Sequence, residues 1–320
     1  MQKKITLIGC GNIGKRHLQA ISKLPFTILL DIVEPNLSAQ KIATTELSKN
    51  IQGITINWHQ NISEIKNKSD LAIVATQAPE RSLIIKKLLE LGNKKLLIEK
   101  IVCQSEEEYK EIQKNVEKFQ AKIWVNCMRR YSLAYQKIKD IFESDPQVNM
   151  VITGGKIGLG SNSIHMIDLF SWFNNNNSQI KLNGDLLEKQ ISESKRGKEF
   201  IEFSGIITGK INQAKITILD LDIEKTPVII DIIGKNNRVI VDETNEKITV
   251  LKGKLDPKIK FLFAHVSNTT TDIILDIFEK DHCLLPSLED LFYPHLELFN
   301  IFNKHLVKIL KKEIKICPIT

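Results

Sequence analysis

The clearest chemistry in this chain of 320 residues lies close to the N-terminus, in a glycine run. Gly9-Cys10-Gly11-Asn12-Ile13-Gly14 has the spacing GxGxxG. It directly follows an apolar segment at residues 5–8 and opens a segment of helical spacing. In that context the three glycines point to a dinucleotide. Gly9 permits the tight turn, Gly11 lets the backbone approach a pyrophosphate, and Gly14 allows close helix–strand packing. Asn12 and Ile13 then open a helix whose N–H groups and dipole face the phosphates. Glu34, 20 residues after Gly14, ends the next apolar segment. A carboxylate there bonds both ribose hydroxyls of NAD and repels the extra phosphate of NADP. NAD is therefore the expected cofactor, ahead of NADP.

A second constellation lies in the middle of the chain. Ser161, His165, Asp168 and Trp172 are spaced at i, i+4, i+7 and i+11. On a helix they share one face. That brings Ser161 within reach of His165 and sets Asp168 to orient the imidazole. Removing a proton from an alcohol needs a base poised near neutral pH, and histidine suits that work. A histidine near a helix start in an apolar pattern is more often a satisfied core or capping residue. Arg129 and Arg130 are read either as contacts to a phosphate or to substrate hydroxyls, or as surface ion pairs. Tyr131 and Tyr135 are read as pocket walls or as core. The other histidines, His17, His59, His265, His282, His295 and His305, form no metal spacing and receive no role. Cys10, Cys103, Cys127, Cys283 and Cys317 form no zinc pattern. No metal is expected, and five scattered thiols suit a reduced, cytoplasmic protein.

The elements that must position these residues follow from periodicity. Up to residue 127 short apolar runs alternate with helical patterns. Strands are expected at residues 5–8, 27–33, 70–75, 95–98 and 123–126, and helices at 16–24, 38–48, 82–90 and 105–119. Alternation of this kind implies a parallel sheet with helical crossovers. After residue 128 the pattern changes. Helices are expected at 133–142, 161–173 and 287–311, the last amphipathic with a solvated basic face. Strands are expected at 148–153, 200–208, 214–221, 228–233, 238–241 and 247–251, and the asparagine tract 174–177 reads as a loop. The expected architecture is an α/β Rossmann domain at 1–127, then an α+β domain at 128–320 with a large, mostly antiparallel, open-faced sheet and a closing helix.

The net charge of +7 and pI near 9.0 raise the question of a polyanionic partner. Residues 1–127 carry 19 Lys+Arg against 13 Asp+Glu, and residues 128–320 carry 26 against 25. The excess thus sits in the expected nucleotide domain, where it suits an anionic cofactor. With aromatics at 6%, the sequence offers no stacking platform for nucleic acid. No apolar run is long enough for a membrane span or a signal peptide.

Several features in order resemble the glucose–fructose oxidoreductase / inositol dehydrogenase / MocA (Gfo/Idh/MocA) family: the glycine loop, ATQAPER at 75–81, Glu99-Lys100, NCMRRY at 126–131, Gly154-Gly155, and the run from Ser161 to His165 and Asp168. The resemblance spans nearly the whole chain and is most specific in its first half. It implies an NAD-dependent oxidoreductase acting on a hydroxyl or keto carbon of a sugar, cyclitol or nucleotide-sugar. By position, Lys100 matches the lysine of the family's Glu-Lys-Pro motif, and His165 matches the histidine of its Asp-x-x-x-His motif. These two are the implied catalytic residues. Thr76, Arg81, Glu99 and Lys100 join the glycine loop and Glu34 at the cofactor. Arg130, Tyr131, Ser161 and Asp168 are the implied substrate contacts. Two positions depart from the pattern. Ile101 replaces the proline after Lys100, and Ser161 replaces the aspartate four before His165. The departures keep two alternatives open: a non-catalytic dinucleotide-binding sensor or assembly protein, and a reductase of a non-sugar substrate such as a linear tetrapyrrole. Family members associate through the open sheet face, which implies a homodimer or homotetramer. The ending Cys317-Pro318-Ile319-Thr320 resembles that of members associated with surface-glycan biosynthesis.

Overall fold

The structure, a computed structural model, describes residues 2–47, 53–175, 179–224 and 226–320. Ser48 of an expected helix and Asn176 and Asn177 of the expected loop lie outside the described residues. The first elements in chain order are β1 (Lys3–Ile8), α1 (Asn12–Ile21), β2 (Ile28–Val33), α2 (Leu37–Leu47), β3 (Ile54–His59) and β4 (Leu71–Val74). Next come α3 (Arg81–Glu90), β5 (Lys95–Ile98), α4 (Glu106–Phe119), β6 (Lys122–Val125), α5 (Leu133–Phe142), β7 (Asn149–Gly155) and α6 (Leu159–Phe173). The remainder is β8 (Lys181–Ser194), β9 (Gly197–Ile211), β10 (Ala214–Leu221), β11 (Ile229–Ile233), β12 (Arg238–Asp242), β13 (Lys247–Lys252), α7 (Val266–Lys280) and α8 (Phe292–Leu310).

The chain forms two compact units. The first comprises Met1–Cys103, Glu107–Asn126 and Ala264–Glu289. Its six-stranded sheet runs in the order β3-β2-β1-β4-β5-β6, with every pair parallel. Strand β4 is buried throughout, as its unbroken run Leu71-Ala72-Ile73-Val74 requires of a strand covered on both faces. This strand order is that of a doubly wound nucleotide-binding sheet, whose ligand crevice lies where the order reverses, beside β1 and β4.

Residues 264–289 belong to this unit and not to the stretch 128–320 in which the sequence places them. Helix α7 packs along α1. Lys23 Nζ donates to Ser267 O at 2.9 Å, and Thr271 Oγ1 donates to Ala20 O at 2.9 Å. The sequence gives little sign of α7, because it opens on Ser-Asn-Thr-Thr-Thr-Asp and buries only a narrow stripe around Ile273, Ile274 and Ile277. Strand β3 is also absent from the expected set. It is an edge strand with no fully buried residue, so it lacks the apolar run that marks its neighbours.

The second unit comprises Gln104–Glu106, Cys127–Phe263 and Asp290–Thr320. Its seven-stranded sheet runs β13-β12-β11-β7-β10-β9-β8, antiparallel except for the β7–β10 pair. One face is covered by α6 and α8. Phe302 of α8 stacks on Phe203 of β9 with ring centroids 4.2 Å apart. Buried and less buried residues alternate along β7, β10, β11 and β12, so the other face is open, as expected. Strand β8 is missing from the expected set. It is an outer strand, mostly exposed, and its pairing with β9 shifts register three times.

Arg129 is part of a buried cluster in this unit. Its Nε and Nη2 donate to Glu243 Oε1 and Oε2 at 2.8 and 2.7 Å, and Tyr135 Oη donates to Oε1 at 2.8 Å. Tyr135 is core, edge-on to Phe261. Burial pushes the Glu243 carboxyl up, but Arg129 and Tyr135 hold it below its ordinary value. Glu243→Gln is expected to cost about 3–5 kcal/mol at pH 7, because it leaves the Arg129 charge buried without its partner. A lowered carboxyl value stabilises the fold fully above the unfolded value, about 4.3, and that contribution fades as pH falls through the folded value. Thermal unfolding of both proteins from pH 7 to pH 3 checks this; equal midpoints at pH 7 would refute it.

Candidate active site

The glycine loop follows β1 directly. Gly9 N donates to Val33 O at the end of β2, and Ala75 N beyond β4 donates to Ile8 O. The loop thus sits at the strand-order reversal. Gly9 has φ +85°, and a Cβ there would lie 3.2 Å from the Ala75 carbonyl carbon. A Cβ on Gly14 would lie 2.0 Å from Gly9 O, so α1 can approach the strand only with glycine at 14. A Cβ on Gly11 meets nothing within 4 Å, and no side chain caps α1. Asn12 and Ile13 are exposed at this end. An uncapped helix N-terminus behind a side-chain-free approach is a cradle for a pyrophosphate. The loop therefore fits the dinucleotide inferred from its spacing.

Glu34 closes the other side of the loop. Its Oε2 accepts from Cys10 N at 2.7 Å and its Oε1 from Asn36 N at 2.9 Å. Burial, with the Glu34 charge adding, pushes the Cys10 thiol up to about 12, so this cysteine is inert. Arg81 is almost fully buried. Its guanidinium donates to Glu99 O at 2.6 Å and also to the carbonyls of Ile101 and Thr76. It braces the loops after β4 and β5. The Lys100–Ile101 peptide bond is cis. Lys100 itself is 5% exposed.

Sequence reasoning gave His17 no role, yet it joins this group. Its Nε2 lies 3.0 Å from Glu99 Oε1 and its Nδ1 2.9 Å from Thr270 Oγ1 of α7. Asn126 Nδ2 donates to the same Glu99 oxygen at 2.6 Å. Burial pushes the Glu99 carboxyl up, but His17, Asn126 and the Lys100 charge bring it below its ordinary value. The one sequence signal for His17 was its place on α1, one turn after Gly14.

The remaining expected residues lie in the second unit. Arg130 and Tyr131 sit on the short 3-10 turn Met128–Tyr131. Arg130 is spent on Asp168, with Nε and Nη2 at 3.1 and 2.6 Å from its two oxygens. Both side chains are buried. Both oxygens of Asp168 thus accept from Arg130. Ser161 and His165 follow one another by one turn on α6. Ser161 N donates to Glu202 Oε2 at 3.2 Å and Ser161 Oγ to Gly158 O at 3.4 Å. Ser161 lines a cavity of about 600 Å³ with Gly158, Asn162, Arg196, Glu202 and Asp220. Among the described residues, no group of three or more His, Cys, Asp or Glu is placed to hold a metal. No helix among them is long and apolar enough to cross a membrane.

Fold and loop together define a dinucleotide-binding protein. Residues 3–127 match the family described as "Oxidoreductase family, NAD-binding Rossmann fold", the Gfo/Idh/MocA family. That stretch is similar to the NAD-binding domain of this family. No curated protein matches it by sequence. Solved structures match across both units. UDP-N-acetylglucosamine 3-dehydrogenase GnnA from Acidithiobacillus ferrooxidans aligns with TM-score 0.70 and 12% identity, covering 96% of this chain and 99% of that one. Biliverdin reductase from Synechocystis sp. PCC 6803, in complex with biliverdin and NADP+, aligns with TM-score 0.68 and 12% identity, covering 93% and 97%. GenD2 from gentamicin A biosynthesis, in complex with NAD, aligns with TM-score 0.68 and 12% identity, covering 94% of each chain. At these identities the likeness is one of fold.

Two alanine substitutions separate packing from cofactor approach. Gly14→Ala is expected to lower the unfolding midpoint and abolish NADH binding, because its Cβ meets Gly9 O. Gly11→Ala has room in the free protein, so the midpoint should hold while NADH affinity falls at least about 10-fold, or about 1.4 kcal/mol. NADH fluorescence titration and thermal unfolding check both; unchanged affinity in Gly11→Ala would remove the pyrophosphate from this loop.

Proposed function

We propose that this protein oxidises or reduces a hydroxyl or keto carbon of a sugar, cyclitol or nucleotide-sugar, with His165 as acid/base and Lys100 as the charge-stabilising residue. The observation that carries this reading is Lys100 itself. It is 5% exposed, at the end of β5 next to the lowered carboxyl of Glu99. Burying an ammonium costs several kcal/mol unless it is paired and used. Held by the glycine loop and Glu34, NAD would supply the hydride acceptor and NADH the hydride donor. In the oxidative direction His165 takes the hydroxyl proton. Lys100 stabilises the negative charge that grows on the oxygen. Glu34 selects NAD over NADP by its charge beside the glycine loop. Tyr131 and Ser161 contact the substrate, and Ser161 does so without the charge of the family's aspartate. Arg130 and Asp168 shape that site as a pair.

GnnA, a UDP-N-acetylglucosamine 3-dehydrogenase, supports the sugar class among proteins of this fold. Biliverdin reductase supports testing one non-sugar acceptor beside it. We further assign a homodimer or homotetramer through the open sheet face. That face exposes Val151 at 39%, an apolar side chain on a central strand. Light scattering that returns the mass of a single chain would refute it. Five buried thiols suit the reducing cytoplasm, and recovery of the native protein from another compartment would refute that placement.

The test is a panel of nucleotide-sugars, polyols and biliverdin followed at 340 nm with NAD(H) and NADP(H). Turnover is expected on a sugar or cyclitol, with NAD(H) bound more tightly than NADP(H). Lys100→Ala and His165→Ala should each lower kcat by about 100-fold or more. Full turnover in either variant would overturn its role, and equal affinity for both cofactors would remove the role of Glu34.

A further inference from the structure

The buried carboxylate of Glu99 is held by two residues that the proposed chemistry does not use. His17 reaches it from α1 and Asn126 from the end of β6, both on Oε1. His17 is in turn fixed by Thr270 of α7. His17, Asn126 and Thr270 are all at most 1% exposed. A tautomer with the proton on Nε2 donates to Glu99 and accepts from the Thr270 hydroxyl, so one ring orientation satisfies both contacts. Two donors on a single carboxylate oxygen offset the cost of burying that charge.

The charge acts on the next residue, Lys100, which contributes to holding the Glu99 carboxyl down. An opposing charge reaches the same loop from the start of α3. Arg81 donates to the carbonyls of Glu99 and Ile101, one on each side of Lys100. Burial and the Arg81 cation both favour the neutral amine at Lys100, whereas Glu99 favours the ammonium. The fixed anion therefore opposes both.

We propose that His17 is a positioning residue for Lys100, acting through Glu99. It keeps that carboxylate ionised and aimed, and the carboxylate keeps Lys100 an ammonium. The consequence for catalysis rests on the function proposed above: Lys100 then stabilises charge and donates a hydrogen bond, and proton removal falls to His165 alone. The local claim does not depend on turnover.

The test is NMR of the full chain labelled with 13Cε-lysine, with the Lys100 signal assigned by its loss in Lys100→Arg. Its titration midpoint is compared across variants. Glu99→Gln should lower the midpoint by about 1 unit or more. His17→Leu should lower it in the same direction. His17→Gln, whose amide keeps a donor, should restore it to near the wild-type value, which loss of packing alone would not produce. Should His17→Leu fail to fold, Thr270→Val replaces it with the same expected direction. An unchanged midpoint in Glu99→Gln overturns the proposal. A fall in Glu99→Gln with none in folded His17→Leu or Thr270→Val overturns the part assigned to His17. Full turnover in Lys100→Ala would instead sink the functional reading and leave this titration result standing.

Discussion

The contact between Gly14 and the Gly9 carbonyl governs the first unit. A side chain at 14 would stand 2.0 Å from that oxygen, so only glycine lets α1 lie down on the strand it follows. Two consequences follow from this one closeness. The uncapped start of α1 lies at the strand-order reversal, where its free N–H groups fit a pyrophosphate. One turn later, His17 is carried close enough to bond Glu99 at the end of β5. The same packing that makes the cofactor cradle also delivers a donor to the residue before Lys100.

Each unit buries its charges in small closed clusters. Glu99 is satisfied by His17 and Asn126, Glu243 by Arg129 and Tyr135, and Asp168 by Arg130. In every case a carboxylate in a dry site finds donors on other elements, because leaving it without them would cost more than the fold can spare. The clusters change how arginines are read. In the sequence Arg129 and Arg130 look available for a phosphate, and the resemblance places Arg81 at the cofactor. All three have their guanidinium groups committed to carbonyls or carboxylates of the protein.

The charge excess fits this picture. The surplus of basic residues falls within residues 1–127, the stretch that matches the NAD-binding family, and an anionic cofactor gives it a reason that nucleic acid does not. The positive charge is a general field around that domain. In the function proposed above, recognition itself falls to backbone N–H groups and one carboxylate, which are local features.

Local patterns fixed much of this protein in advance. The GxGxxG spacing, the unbroken apolar runs of β1 and β4, and the change of pattern near residue 128 all depend on neighbours in the chain. They were legible for that reason, and so were the position of Glu34 just after β2 and the helix that carries Ser161 and His165. What stayed hidden depends on residues far apart in sequence. Strands β3 and β8 are held by pairing at sheet margins rather than by apolar content. Helix α7 is polar at its start and is stabilised by α1, some 250 residues away, through contacts such as Thr271 to Ala20. His17 stands 82 residues before Glu99, and Asp168 38 after Arg130. A sequence carries the propensity of each segment and the spacing within it. Which donor meets which buried carboxylate is settled only when elements pack, because the cost of an unmet charge is felt only once water has been excluded.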